Sequence, residues 1–123
     1  MRICVYGLGA IGGLLAGRLA IAGAHVSAVA RGATLQAVRE RGLTLIDADG
    51  ARLTAPILVS DKPADLGPQD LVIVALKTSA LPGAAHAIAS LLGPETSVLS
   101  AMNGVPWWFF HGLPDAPGGL RLE

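Results

Sequence analysis

Cysteine, lysine and aromatic residues are scarce in this chain of 123 residues. Cys4 is the only cysteine, so the chain has neither an intrachain disulfide nor a cysteine-cluster metal site. Nine basic residues match nine acidic ones, and this balance argues against a partner such as nucleic acid or an anionic membrane. The three histidines, His25, His86 and His111, are too scattered to indicate a metal site, so we expect no metal.

Long uninterrupted apolar runs are missing as well. The most apolar stretch, residues 3–30, contains Arg18 and His25 and is punctuated by glycines, unlike a signal peptide or a membrane-spanning helix. We therefore expect no membrane segment, and a cytoplasmic location fits the single cysteine best. Apolar residues make up 52% of the chain and charged residues only 15%, which predicts one domain with a packed core.

Short apolar runs alternate along the chain with segments of helical periodicity. Around Pro56 we predict one or two short strands in addition to the main ones, and we predict a loop over residues 61–69. The main predicted strands are residues 3–6, 25–30, 43–46, 71–76 and 97–100, and the helices are residues 10–22, 34–41 and 84–92. This alternation predicts a Rossmann-type doubly wound, mostly parallel sheet with helices on both faces. Because such domains usually continue with further strands, we expect the fold to be cut short at residue 123.

A glycine-rich motif joins the first predicted strand to the first helix. It has the pattern G-x-G-x-x-G and consists of Gly7, Leu8, Gly9, Ala10, Ile11 and Gly12. Gly7 would permit the tight turn, Gly9 the approach of a pyrophosphate, and Gly12 close packing of the helix on the strand. The strand–turn–helix context therefore predicts a dinucleotide site rather than an empty glycine turn.

The end of the second predicted strand indicates which dinucleotide binds. An NAD site usually has an Asp or Glu about 20 residues after the glycine motif, to bind the ribose 2′-hydroxyl. Arg31 stands at that point instead, and the next acidic residue is Glu40, which comes too late. Because a guanidinium can pair with a 2′-phosphate, Arg31 predicts NADPH as the cofactor, although a solvated surface arginine is the alternative.

Two polar residues follow the next strands at the edge where such folds bind ligands. Lys77 comes directly after residues 71–76 and can contact a cofactor ribose or a substrate carboxylate, or simply reach solvent. Asn103 follows residues 97–100, although an Asn-Gly pair is often only a turn. After it come the aromatic residues 107–110, which would pack against another domain or subunit, or form a substrate wall.

Four segments of the chain together resemble the N-terminal, NADP-binding domain of the ketopantoate reductases (2-dehydropantoate 2-reductases). They are MRICVYGLGAIGG at residues 1–13, VARG at 29–32, LKT at 76–78 and NGVPWW at 103–108. The resemblance implies an oxidoreductase that reduces the ketone of 2-dehydropantoate to (R)-pantoate with NADPH, a step towards pantothenate and coenzyme A. It further implies that residues 7–12 hold the pyrophosphate and Arg31 the 2′-phosphate. By the same resemblance, Lys77 contacts the cofactor near the nicotinamide ribose, and Asn103 contacts both cofactor and substrate.

The proton-donating lysine of this family, and a substrate-binding acidic residue, lie in a helical C-terminal domain that residues 1–123 do not contain. The resemblance thus implies an incomplete cofactor domain with no catalytic residue of its own, which we expect to be inactive alone. We expect it to need the missing domain as a partner, and to self-associate or form a homo-oligomer through exposed apolar surface. Two alternatives stay open: a non-catalytic dinucleotide-binding module, and a reductase of another 2-oxo or 3-hydroxy acid.

Overall fold

The structure is a computed structural model that describes residues 1–104, so the aromatic residues 107–110 and His111 lie outside it. Short 3-10 turns cover Pro63–Leu66, Thr78–Ala80 and Ala89–Leu91. The strands and helices are, in chain order, β1 (Arg2–Tyr6), α1 (Ala10–Ile21), β2 (His25–Val29), α2 (Gly32–Arg41), β3 (Leu43–Ile46), β4 (Arg52–Ala55), β5 (Leu58–Ser60), β6 (Gln69–Val74), α3 (Leu81–Ile88) and β7 (Leu92–Ser100). None of the helices in this part of the chain is long and apolar enough to cross a bilayer.

Five strands form one parallel sheet in the order β5-β2-β1-β6-β7. The first strand lies at its centre, with Ile3 opposite Val26 on one side and opposite Leu71 on the other. The chain winds outward from β1 in one direction through β2 and β5, then returns to the other side through β6 and β7. Strand order therefore reverses between β1 and β6, which is where open sheets of this type bind ligands.

Helices cover both faces of the sheet, as the sequence predicts. Cys4 and Tyr6 of β1 point to one face, where they pack in a core with Ala84 and Ile88 of α3. Val5 points to the opposite face, in the core that α1 completes. Helix α2 covers β2 and β5 on that same face, with a smaller core of its own. The arrangement confirms the predicted Rossmann-type fold class.

The strands β3 and β4 stand apart from the parallel sheet. They pair with each other as an antiparallel hairpin, and Leu43 lies opposite Ala55. The hairpin packs against α1, where a Cβ on Gly17 would come within 2.7 Å of the Leu45 side chain. The segment between α2 and β5 is therefore correctly predicted to form strands, but these strands do not join the parallel sheet.

Element boundaries differ from the prediction near prolines and at polar strand ends. Helix α3 begins at Leu81 rather than residue 84, because Pro82 in its first turn has a backbone angle suited to a helix start. Strand β6 begins at Gln69, inside the predicted loop, since the chain's own carbonyl groups satisfy the buried Gln69 amide. Strand β7 begins at Leu92 and includes Pro94, which its position at the sheet edge tolerates.

Candidate functional site

A crevice of about 600 Å³ opens at the carboxyl ends of the strands, above the point where strand order reverses. Four segments contribute to it: the end of β1 with the glycine-rich loop, the end of β2 with the start of α2, the loop after β6, and the start of α3. Its lining residues are Tyr6, Gly7, Leu8, Gly9, Val29, Ala30, Arg31, Thr34, Leu76, Ser79, Ala80, Gly83 and Ala84. The fold thus brings the glycine-rich loop and Arg31 to one cavity.

The first and third glycines of the motif are fixed by close backbone contacts. Gly7 has a φ of +103°, and a Cβ there would lie 2.9 Å from the carbonyl oxygen of Ala75. A Cβ on Gly12 would lie 1.8 Å from the carbonyl oxygen of Gly7 and 3.0 Å from the Cβ of Ala75. Since backbone atoms cannot yield to a side chain at these distances, both positions require glycine for the loop to close under α1.

Gly9 is free of such contacts. It is the N-cap residue of α1, and among residues 1–104 no atom beyond its chain neighbours lies within 4 Å of the point where its Cβ would be. No side chain caps the helix, and its first turn carries no acidic residue. The first N–H groups of a helix lack intrahelical partners, so this end of α1 offers donors and a partial positive charge to an anion. Ala10 and Ile11 are exposed on that turn, outside the crevice lining.

Arg31 comes two residues after β2 and is the N-cap residue of α2, and its exposed side chain lines the crevice. Within residues 1–104 the one ion pair joins Arg18 to Asp47, so no acidic group of the described chain neutralises Arg31. Thr34, one helical turn further on, also lines the crevice. Thr34 was not predicted from the sequence as a site residue, and its place in the lining follows from the way α2 starts at Gly32, directly after Arg31.

Lys77 and Asn103 lie at the margin of the site rather than in its lining. Lys77 is exposed after β6, between the lining residues Leu76 and Ser79. Asn103 is exposed after β7. The hydroxyl of Thr78 donates a hydrogen bond of 3.3 Å to the Asn103 carbonyl oxygen, which joins the two loops. Lys77 and Asn103 therefore lie at the carboxyl end of the sheet, as the sequence predicts, but on loops that follow β6 and β7 rather than next to the glycine-rich loop.

Tyr6 also lines the crevice, although from its sequence it is predicted only as part of the first strand. It is 3% exposed, and within residues 1–104 its hydroxyl is the buried side-chain polar atom that lacks a hydrogen-bond partner. Leu76 and the start of α3 were also missed as lining, because their contribution depends on how β6 and α3 sit over β1. No sequence signal for the start of α3 was available beyond its small residues.

Comparison with known proteins agrees with this architecture. The family model of ketopantoate reductase PanE/ApbA matches residues 3–106. The chain belongs to the ketopantoate reductase family. A 2-dehydropantoate 2-reductase of Mesorhizobium japonicum is 50% identical over 124 residues, which cover 100% of this chain and 38% of the relative.

Solved structures of similar sequence share the fold. A candidate ketopantoate reductase from Ralstonia solanacearum MolK2 is 53% identical, with a TM-score of 0.86, over 98% of this chain and 37% of that one. A D-mandelate dehydrogenase, solved with NADH and anilino(oxo)acetate, is 27% identical, with a TM-score of 0.77, over 85% of this chain and 34% of its own. The chain thus spans somewhat over a third of the length of the relatives it matches.

Proposed function

We propose that this chain is the NADPH-binding part of a reductase that converts 2-dehydropantoate to (R)-pantoate, towards pantothenate and coenzyme A. Arg31 carries the cofactor assignment, because it is a cation without an acidic partner in the described chain, beside the glycine-rich crevice. Membership of the ketopantoate reductase family supports the reaction. On this proposal residues 1–123 form an incomplete cofactor domain of a cytoplasmic enzyme.

The crevice fits the proposed cofactor on three counts. Open space at Gly9 and the start of α1 suit a pyrophosphate, since within residues 1–104 no atom fills that space and no side chain caps the helix. Arg31 suits a 2′-phosphate, with Thr34 as a neighbouring hydroxyl. The buried hydroxyl of Tyr6 lacks a partner within the described residues. When bound, NADPH supplies a hydride to the ketone carbon of the substrate.

The roles of this chain's residues are to bind and to orient. We assign the pyrophosphate to residues 7–12, and the nicotinamide ribose to Lys77, whose ammonium group is exposed at the crevice margin. Asn103 would contact cofactor and substrate, held in place by the Thr78 hydrogen bond to its carbonyl oxygen. Such placement brings a substrate carbon into reach of the hydride donor. Protonation of the product alkoxide requires an acid, which we assign to the part of the relatives that this chain does not span.

The cofactor proposal is tested by titrating NADPH and NADH against the wild-type protein and Arg31→Ala. We expect the wild type to prefer NADPH, and Arg31→Ala to lose about ten- to hundredfold in affinity for NADPH but not for NADH. Arg39→Ala, on the same helix but not in the crevice lining, is the matched control. Equal affinities of the wild type for both cofactors would refute the assignment of Arg31.

A reductase of another 2-oxoacid is the second candidate. The D-mandelate dehydrogenase shares this fold and was solved with NADH and an oxoacid, so one scaffold serves a different cofactor and substrate. Assay of the full-length protein with a panel of 2-oxoacids and both cofactors separates the candidates. Fastest turnover of 2-dehydropantoate with NADPH supports the first, and an aromatic 2-oxoacid with NADH supports the second.

The isolated chain is a separate case. We propose that it binds the dinucleotide without turning over substrate, because it spans 38% of its Mesorhizobium relative and contains no residue that we assign as the acid. Val98 and Leu99 are exposed apolar residues of β7, the edge strand of the sheet in residues 1–104. Such an edge favours self-association, or pairing with the rest of a longer protein. Light scattering of the isolated chain tests this, and a monodisperse monomer would contradict it.

A further inference from the structure

The hydroxyl of Tyr6 is an exception to the rule that buried polar groups of folded proteins have hydrogen-bond partners. The Tyr6 oxygen is shielded from solvent, and within residues 1–104 nothing bonds to it. Its ring packs in the core between the sheet and α3, with Val29 and Val74 on the neighbouring strands. A phenylalanine would fill the same place without the unpaired hydroxyl.

The surroundings of this hydroxyl point towards a ligand. Tyr6 lines the crevice at the reversal of strand order, directly before Gly7. The side of the crevice formed by α3 presents only small residues, Ala80, Gly83 and Ala84. Arg31, the proposed 2′-phosphate ligand, lies across the same cavity at the end of β2. The part of the cavity between Arg31 and α3 is therefore the part that would receive the adenosine half of the cofactor.

We propose that the Tyr6 hydroxyl is a binding group of the cofactor site, which donates a hydrogen bond to an acceptor on the adenosine half of the bound dinucleotide. The inference rests on the proposed function. Because the oxygen is covered in the structure, the start of α3 has to move slightly outward when the ligand enters. The residues that this turn presents to the crevice, Ala80, Gly83 and Ala84, are small, while Leu81 of the same turn packs against the core and moves with it. The unpaired hydroxyl is thus a stability defect of the free protein that the ligand corrects.

Tyr6→Phe in the full-length protein gives a paired signature. The variant should melt a few degrees higher than wild type without ligand, because an unsatisfied buried hydroxyl is removed. It should also bind NADPH and adenosine 2′,5′-bisphosphate about three- to tenfold more weakly, because one neutral hydrogen bond is lost. Nicotinamide mononucleotide, which lacks the adenosine half, should show no difference between the two proteins.

A spectroscopic measurement tests the same bond without relying on affinity. In the full-length protein labelled with ¹³C at tyrosine Cζ, the signal that disappears in Tyr6→Phe belongs to Tyr6 and reports on this one hydroxyl. We expect that signal to move on adding adenosine 2′,5′-bisphosphate and to stay in place on adding nicotinamide mononucleotide. Thr44→Val is the matched control, because it removes an exposed hydroxyl of the β3–β4 hairpin, away from the crevice.

The outcomes separate this inference from the proposed function. If wild type binds NADPH and Tyr6→Phe binds it equally well, the inference is wrong and the proposed function stands. If Tyr6→Phe melts lower than wild type, the hydroxyl already has a partner in the free protein, and the inference is also wrong. If wild type binds neither NADPH nor adenosine 2′,5′-bisphosphate, the proposed function itself fails.

Discussion

The two ends of the parallel sheet treat their polar groups in opposite ways. At the amino ends of the strands, the Gln69 amide donates to the carbonyl oxygens of Leu66 and Gly67, at 2.9 and 3.0 Å, and accepts from Ser27. Arg2 adds a bond of 2.7 Å from its guanidinium to the same Leu66 oxygen, and its backbone N–H donates to Asp70. This end satisfies its buried polar groups within the chain.

At the carboxyl ends, the polar groups around the crevice are left without partners in the described chain. The start of α1 has no side-chain cap, Arg31 has no acidic partner among the described residues, and the Tyr6 hydroxyl has no acceptor there. Both ends carry a depression in the surface, of about 260 Å³ at the amino end and about 600 Å³ at the carboxyl end. A cavity is thus present at both ends of the sheet. The polar groups without partners lie at the carboxyl end, and they mark that end as the place for a ligand.

The largest effect is expected from Gly12→Ala at the carboxyl end. The new Cβ would lie 1.8 Å from the Gly7 carbonyl oxygen, so α1 has to move away from the loop. We expect a loss of about 3 kcal/mol or more in the free energy of unfolding, measured by chemical denaturation. Gly13→Ala is the control: no atom lies within 4 Å of its Cβ, and the helix should gain up to about 1 kcal/mol. Equal stabilities of the two variants would contradict the packing of α1 on the loop.

Gly9→Val should separate binding from stability at the same end. Its backbone is extended and a Cβ there meets no atom of residues 1–104 beyond its chain neighbours, so the free energy of unfolding should fall by no more than about 1 kcal/mol, the cost of valine in place of glycine at an N-cap. The valine would stand where the pyrophosphate is proposed to lie, so NADPH affinity should fall at least about a hundredfold, or about 2.7 kcal/mol. Calorimetric titration measures the loss, and wild-type affinity in this variant would show that the phosphates bind elsewhere.

Gln69→Leu probes the amino end, where we expect the opposite result. The carbonyl of Gly67 loses its donor from the Gln69 side chain, so the free energy of unfolding should fall by about 1–3 kcal/mol. NADPH affinity should stay within about twofold of wild type, because no crevice residue changes. Measuring both quantities on one sample tests the comparison directly. A large loss of affinity with little loss of stability would mean that the two ends are not separate in function.

The smallest effect concerns Cys4 in the central strand. Burial raises the pKa of its thiol to about 11, against a smaller opposing effect of the Ser27 hydrogen bond. The native thiol should therefore stay unreactive towards a disulfide reagent at pH 8 and react only on unfolding. Because the unfolded thiol ionises first, near pH 8.5, the native state should lose stability as pH rises from about 8.5 to about 11. Cys4→Ala should lack that part of the pH dependence, and prompt labelling of the native protein would contradict the burial.

The sequence predicted those features of the molecule that depend on local pattern. The strand–glycine–helix order located the loop, and the position of Arg31 after β2 located the second side of the crevice. The residue-by-residue pairing of β6 with β1 could not be predicted, because strands so distant in sequence leave no periodic signal of which residues lie opposite each other. The unpaired Tyr6 hydroxyl and the α3 side of the crevice depend on that pairing. The hydrogen bonds of the Gln69 side-chain amide explain why β6 begins at Gln69, within the segment predicted to be a loop.

The central position of β1 has a consequence for the order in which the protein is made. Leu71, which pairs with Ile3, lies 68 residues further along the chain. At about 5–20 residues per second, synthesis leaves one edge of β1 waiting for its neighbour for roughly 3–14 s. The contacts of Gly7 and Gly12 with Ala75 cannot form earlier either, since Ala75 follows β6. The glycine-rich loop is thus among the first parts to be synthesised and among the last to take its final shape, so a nascent chain stays without a working crevice until β6 has joined the sheet.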